Sequence, residues 1–269
     1  ACSRQCIQNA CFNTFVGSCS GSGEVICGDL NTAVGYKAGS KITTGQHNVF
    51  LGQYGGSGAA LTGQNNISIG QRSGRCITSG SGNIALGCDA MGTATITGMH
   101  NIAMGTQAGN CLTSGCYNIF FGYHAGTNQN VTGNDNIFLG QKSGCCASSA
   151  SSNIVIGEKS AEKLTTGDGN IVLGCTAANQ GTLTGSLNTI IGAQAGRNIA
   201  GGQNNVLLGY KAGCDITSAE QNVFIGAVAG LCHQTGARNI AIGYNTKLPM
   251  ENTGCQLAIS NGDNYWIVA

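Results

Sequence analysis

The sequence predicts an all-β fold, a parallel β-solenoid of about fourteen coils of 17–18 residues each. Three observations predict it. Asparagine returns every 17 or 18 residues, at positions 13, 31, 48, 66, 83, 101, 118, 136, 153, 170, 188, 205, 222 and 239, and glycine follows each of them four residues later. The residues between the two are rich in Ile, Val and Thr, a run too short for a helix and suited to a strand. The chain holds 45 glycines and one proline, Pro249, which falls just after the last coil. Glycine permits the positive φ of sharp corners, and a strand ladder excludes proline.

Taken in order, residues 1–30 read as a Cys-rich N-terminal cap or attachment segment with weak repeat character. Residues 31–246 are the solenoid. Its units include NTAVGYKAG (31–39), NIAMGTQAG (101–109), NTIIGAQAG (188–196) and NVLLGYKAG (205–213). A second apolar residue follows each, as in Ile42, Leu61, Ile77, Ile96, Leu112, Val131, Leu164, Leu183 and Ile216, usually before Thr. This predicts a second short strand per coil. From Asn31 to Asn153 the spacing alternates 17 and 18, so a 35-residue pair is the true period there. Residues 247–269 read as a C-terminal cap or tail, with Trp266 closing its end.

Stacked coils place like residues over like. Asn31, Asn48, Asn66, Asn83, Asn101, Asn118, Asn136, Asn153, Asn170, Asn188, Asn205, Asn222 and Asn239 are therefore expected to form a structural side-chain ladder. The first and third residues after each Asn share a face, which the pattern assigns to the coil interior. The second then faces outward, and it is apolar in every coil but that of Ser68. Phe50, Phe120, Phe138, Val155, Val172, Ile190, Leu207 and Phe224 make this an inter-chain apolar stripe. A strand apolar on both faces is covered on both, and only another copy supplies the cover. Two or three chains satisfy the argument, and the small coil favours a homotrimer, whose closed symmetry hides the stripe.

The unit Asn, Ile/Thr/Val, any residue, Val/Leu/Ile, Gly, two residues, Ala, Gly, with TTG following, resembles repeats of bacteriophage and large-virus fibre and tail-spike proteins. It is more distantly similar to the heads of trimeric autotransporter adhesins. The resemblance covers about residues 13–246. CQLAISNGDNYWIVA (255–269) resembles the stretch before the endosialidase-type intramolecular chaperone of such fibres. The resemblance implies a rigid trimeric shaft on a virion, matured by cleavage, with a host receptor or glycan as target. The high cysteine content departs from most phage relatives.

Composition bounds the alternatives. Charged residues make up 9% of the chain and the net charge is +1, which lacks the basic excess of a nucleic-acid binder. No apolar run approaches 20 residues, so no membrane span is expected. Phosphate-loop, dinucleotide, zincin and nucleophile-elbow motifs are absent, and no repeated carboxylate pair occurs. The expectation is no enzyme, no cofactor and no catalytic or metal residue. His47, His100, His124 and His233 read as exposed corner residues. Tyr36, Tyr123, Tyr210 and Tyr244 follow the fourth-position glycine and read as edge packing between coils or as a sugar platform. Asn66-Ile67-Ser68 and Asn130-Val131-Thr132 match the glycosylation sequon, and only Asn130 lies in a corner.

Fifteen cysteines are disulfide candidates: Cys2, Cys6, Cys11, Cys19, Cys27, Cys76, Cys88, Cys111, Cys116, Cys145, Cys146, Cys175, Cys214, Cys232 and Cys255. Buried free thiols and zinc are the other readings, although C-x-x-C is absent. Disulfides in an oxidising compartment suit the N-terminal cluster best. The partners expected are the chain itself, as a trimer and in end-to-end polymers, and a virion or cell-surface anchor; the location is extracellular or on a virion. The alternatives are a self-assembling cellular filament or adhesin, and an ice- or ligand-binding solenoid, which needs regular Thr ranks.

Overall fold

A computed structural model describes residues 10–22, 25–127 and 130–268. The chain is a parallel β-solenoid whose coils each contribute one three-residue strand. It divides into two compact units, 1–134 and 135–269.

The first unit carries β1 (Thr14–Val16), β2 (Thr32–Val34), β3 (Val49–Leu51), β4 (Ile67–Ile69), β5 (Ile84–Leu86), β6 (Ile102–Met104) and β7 (Ile119–Phe121). Each pairs in parallel with the next, in a register that stacks equivalent residues, as in Thr14↔Thr32 and Ile102↔Ile119. The second unit carries β8 (Ile137–Leu139), β9 (Ile154–Ile156), β10 (Ile171–Leu173), β11 (Thr189–Ile191), β12 (Val206–Leu208), β13 (Val223–Ile225), β14 (Ile240–Ile242), β15 (Leu257–Asn261) and β16 (Asn264–Val268). Here the parallel stack runs to β15, and β16 folds back antiparallel on it.

The glycine after each strand is fixed by geometry. Gly105 has φ +130°, and a Cβ there would lie 2.7 Å from the carbonyl oxygen of Gly122 in the next coil. No L side chain fits both constraints. The residue before each Asn is also left-handed, as at His47 (φ 56°) and Leu187 (φ 60°), and turns the chain into the strand.

The interior is set by the second strand residue, not by the first and third. Phe50, Phe120, Phe138, Val155, Val172, Ile190, Leu207 and Phe224, expected on an outward stripe, are all 0% exposed. The physical reason is strand alternation. Asn and the residue two later share one face, and that face carries the buried Asn side chains. The first and third residues therefore point outward.

Packing inside several coils is complementary in volume. Where the second strand residue is Phe (Phe50, Phe120, Phe138, Phe224), the residue six later is glycine (Gly56, Gly126, Gly144, Gly230), and a Cβ there would meet the ring at 2.9 Å or less. Where it is Ala85, Val155 or Val172, that place is filled by Met91, Ala161 or Ala178, all 0% exposed. Close packing of this kind is what a narrow core requires.

The predicted second strand is reduced to single-residue bridges. Among the described residues these join Ile42↔Leu61, Ile77↔Ile96, Leu112↔Val131 and Leu164↔Leu183. Each links a 17-residue coil to the 18-residue coil after it. Thr43, Thr78 and Thr113 hydroxyls donate across the same seam, to the carbonyls of Leu61, Ile96 and Val131 at 2.9, 2.9 and 3.0 Å. The 35-residue period is thus a bridged pair of coils.

Candidate functional site

The asparagines form a continuous ladder within each unit. The Asn48 side-chain amide donates to Asn31 Oδ1 and to the Gly63 carbonyl, each at 3.0 Å, and the Asn48 backbone N–H donates to the same Oδ1 at 3.0 Å. The pattern repeats from Asn13 to Asn118 and again from Asn136 to Asn239. Asparagine suits the place because one short side chain offers two donors and a two-lone-pair acceptor. In the second unit the ladder ends on Gln256, whose backbone N–H donates to Asn239 Oδ1 at 3.0 Å. Gln256 was not foreseen. It stands 17 residues after Asn239 and precedes Leu257, Ala258 and Ile259, so the spacing carried the signal. The segment 247–269 therefore holds one more rung before the hairpin, and the first rung, β1, lies within 1–30.

The feature that distinguishes the surface is the outward face of the strands. In the first unit it comprises the first and third residues of β1 to β7; all are apolar except Thr14 and Thr32. In the second unit it runs from β8 to β15, and only Thr189 is polar. Ile69 (41% exposed), Phe121 (53%) and Ile156 (39%) are typical of its open members. The face contains no charged residue in either unit.

Other sequence candidates are dispersed. His233 is buried at 1% exposure, contrary to the exposed corner expected. It takes the column filled elsewhere by Ile42 or Leu112, its ring edge-on to Phe224 at 5.8 Å. Its Nε2 lies 3.1 Å from the Gly236 carbonyl and Nδ1 has no partner. Burial holds its pKa below the usual imidazole value. Tyr36 packs against Tyr54 with ring centroids 5.3 Å apart, and the Lys37 ammonium lies over both rings. Tyr123 meets His124 and Tyr210 meets Lys211 in the same way. These rings pack on neighbours along the edge of the coils. Asn66 is fully buried in its ladder, while Asn130 is exposed.

Among the described residues, Cys11, Cys27, Cys76, Cys88, Cys111, Cys116, Cys145, Cys146, Cys175, Cys214, Cys232 and Cys255 are not disulfide partners. Cys76 and Cys111 show why. Like positions two coils apart are about 9.6 Å distant by strand spacing, beyond disulfide reach. Cys19 is disulfide-bonded; Cys2 and Cys6 lie outside the described residues. Cys145 and Cys214 are buried, and burial pushes the Cys214 thiol up. No three His, Cys, Asp or Glu side chains converge on a metal-sized site among the described residues, and no helix there is long and apolar enough to cross a membrane. No protein-family model matches the chain, and no curated protein or solved structure is significantly similar to it.

Proposed function

We propose that the chain is a structural fibre or spike protein, a β-solenoid shaft whose copies associate laterally as a homotrimer for virion attachment or surface adhesion. The carrying observation is the uncharged outward strand face of each unit. Contiguous apolar patches beyond a few hundred Å² are rare on monomers and mark interfaces. Both faces of each strand are apolar, and the Ile, Leu and Val rows, not the Phe stripe, form the outer one. The partner is a second copy because equal faces on equal rungs match in height and spacing, and closed symmetry covers them all. On this reading the protein is a scaffold and not a catalyst, displayed outside the cell or on a particle, with an anchor at one end and a receptor or glycan at the other.

Sedimentation equilibrium tests the reading. The wild-type chain is expected at three times the mass of one chain, or six times where two assemblies also join. Replacing Ile102 and Met104, on β6, together by Lys places charge on the first unit's face without touching its core, and is expected to lower the mass threefold with the strand signal in circular dichroism unchanged. A wild-type chain that sediments as a monomer overturns the proposal.

A further inference from the structure

The parallel stack of the second unit ends in a strand of a different kind. β16 pairs antiparallel with β15, through Ala258↔Val268, Ile259↔Ile267, Ser260↔Tyr265 and Asn261↔Asn264. The register shifts at Ile259/Ser260, which leaves Trp266 without a partner on β15. All five residues of β16 are exposed, Trp266 at 70%. Among the described residues no strand pairs with its other edge. Exposed edges are normally blunted by Lys, Pro or inward charge. Residues 264–268 contain neither charge nor proline, and four of the five are Tyr, Trp, Ile and Val.

We propose that the free edge of β16 docks β16 of a second copy, antiparallel about a two-fold axis through Trp266, and so joins two assemblies tail to tail. A two-fold rotation makes any edge strand complementary to itself, since each N–H meets the carbonyl that its own symmetry mate supplies. In this register Trp266 meets its symmetry mate, and Tyr265 lies opposite Ile267 of the partner subunit. Aromatic against β-branched is a favourable cross-strand pair, and no like charges are brought together. The contact is closed, so it stops at two. It uses a strand outside the lateral face and does not depend on the lateral association.

Charge swapping at the axis tests this. Trp266→Lys and Trp266→Glu sit on an exposed side chain and leave the coils intact. Each variant alone sets like charges face to face and is expected to halve the wild-type mass in sedimentation, with an unchanged circular dichroism spectrum. Mixing the two in equal amounts is expected to restore the wild-type mass. Both variants keeping the wild-type mass, or a mixture that does not recover it, overturns the proposal. So does a wild-type mass that grows without limit as concentration rises, which is the mark of head-to-tail joining. Failure of the lateral trimer changes the absolute masses but not the twofold ratio, so the two outcomes are separable.

Discussion

Asn101 shows how one side chain serves three coils. Its amide donates to Asn83 Oδ1 at 3.0 Å and to the Gly115 carbonyl at 2.8 Å, and its Oδ1 accepts from the backbone of Asn118 at 2.9 Å. Every atom of the group is used, in a setting where an unpaired polar group costs about 1–3 kcal/mol. Ser68 is the opposite case. It is fully buried in place of the Ala or Phe of other coils, and its hydroxyl has no partner. Ser68→Ala, which installs the residue found at Ala33 and Ala85, is expected to raise stability by about 1 kcal/mol; equal or lower stability in urea unfolding contradicts this. His233 makes the second unit acid-sensitive. Its folded pKa lies below the unfolded value, so the unfolded chain takes up the proton first. Its contribution is complete above an unfolded pKa of about 6.5 and is lost as pH falls below it. The melting temperature is therefore expected to drop on acidification through that range, and His233→Leu, copying Leu112 and Leu164, is expected to flatten the drop. Parallel curves for the two proteins would exclude the assignment.

At the level of the coil, the sharp turn after each strand comes from glycine. The fourth-position glycines combine a φ forbidden to L residues with carbonyl contacts from the next coil. Gly105→Ala therefore carries both backbone strain and a clash at 2.7 Å with Gly122. It is expected to cost roughly 3 kcal/mol or more, in line with other severe steric changes; a loss below about 1 kcal/mol in chemical denaturation argues against the stacked geometry. The bridged pairs of coils belong to this scale as well. The landmarks Ile42 and Leu61 were visible in the sequence, but a three-residue strand on one side and a single bridge on the other were not. Both segments show the same β-branched composition, and only the length of regular pairing in the fold separates them.

For the molecule as a whole, the proposed lateral association rests on an uncharged face. Attraction between such faces is hydrophobic and carries no ion-pair contribution. Raising the salt concentration is expected to leave the oligomer intact or strengthen it, whereas cooling weakens it. Dissociation by salt in a light-scattering titration would point to a charged interface elsewhere. The repeat, the strand that follows each Asn and the asparagine ladder are consequences of the sequence alone, because a 17–18-residue period with Asn and Gly at fixed places favours stacking in register. Which face of each strand turns inward was settled only by the tertiary structure. Residues such as Phe120 and Ile119 are both apolar, and alternation says only that they point opposite ways. The left-handed residue before Asn and the glycine after the strand choose the direction in which the chain closes, and that closure puts Asn118 and Phe120 inside and leaves Ile119 and Phe121 on the outer face.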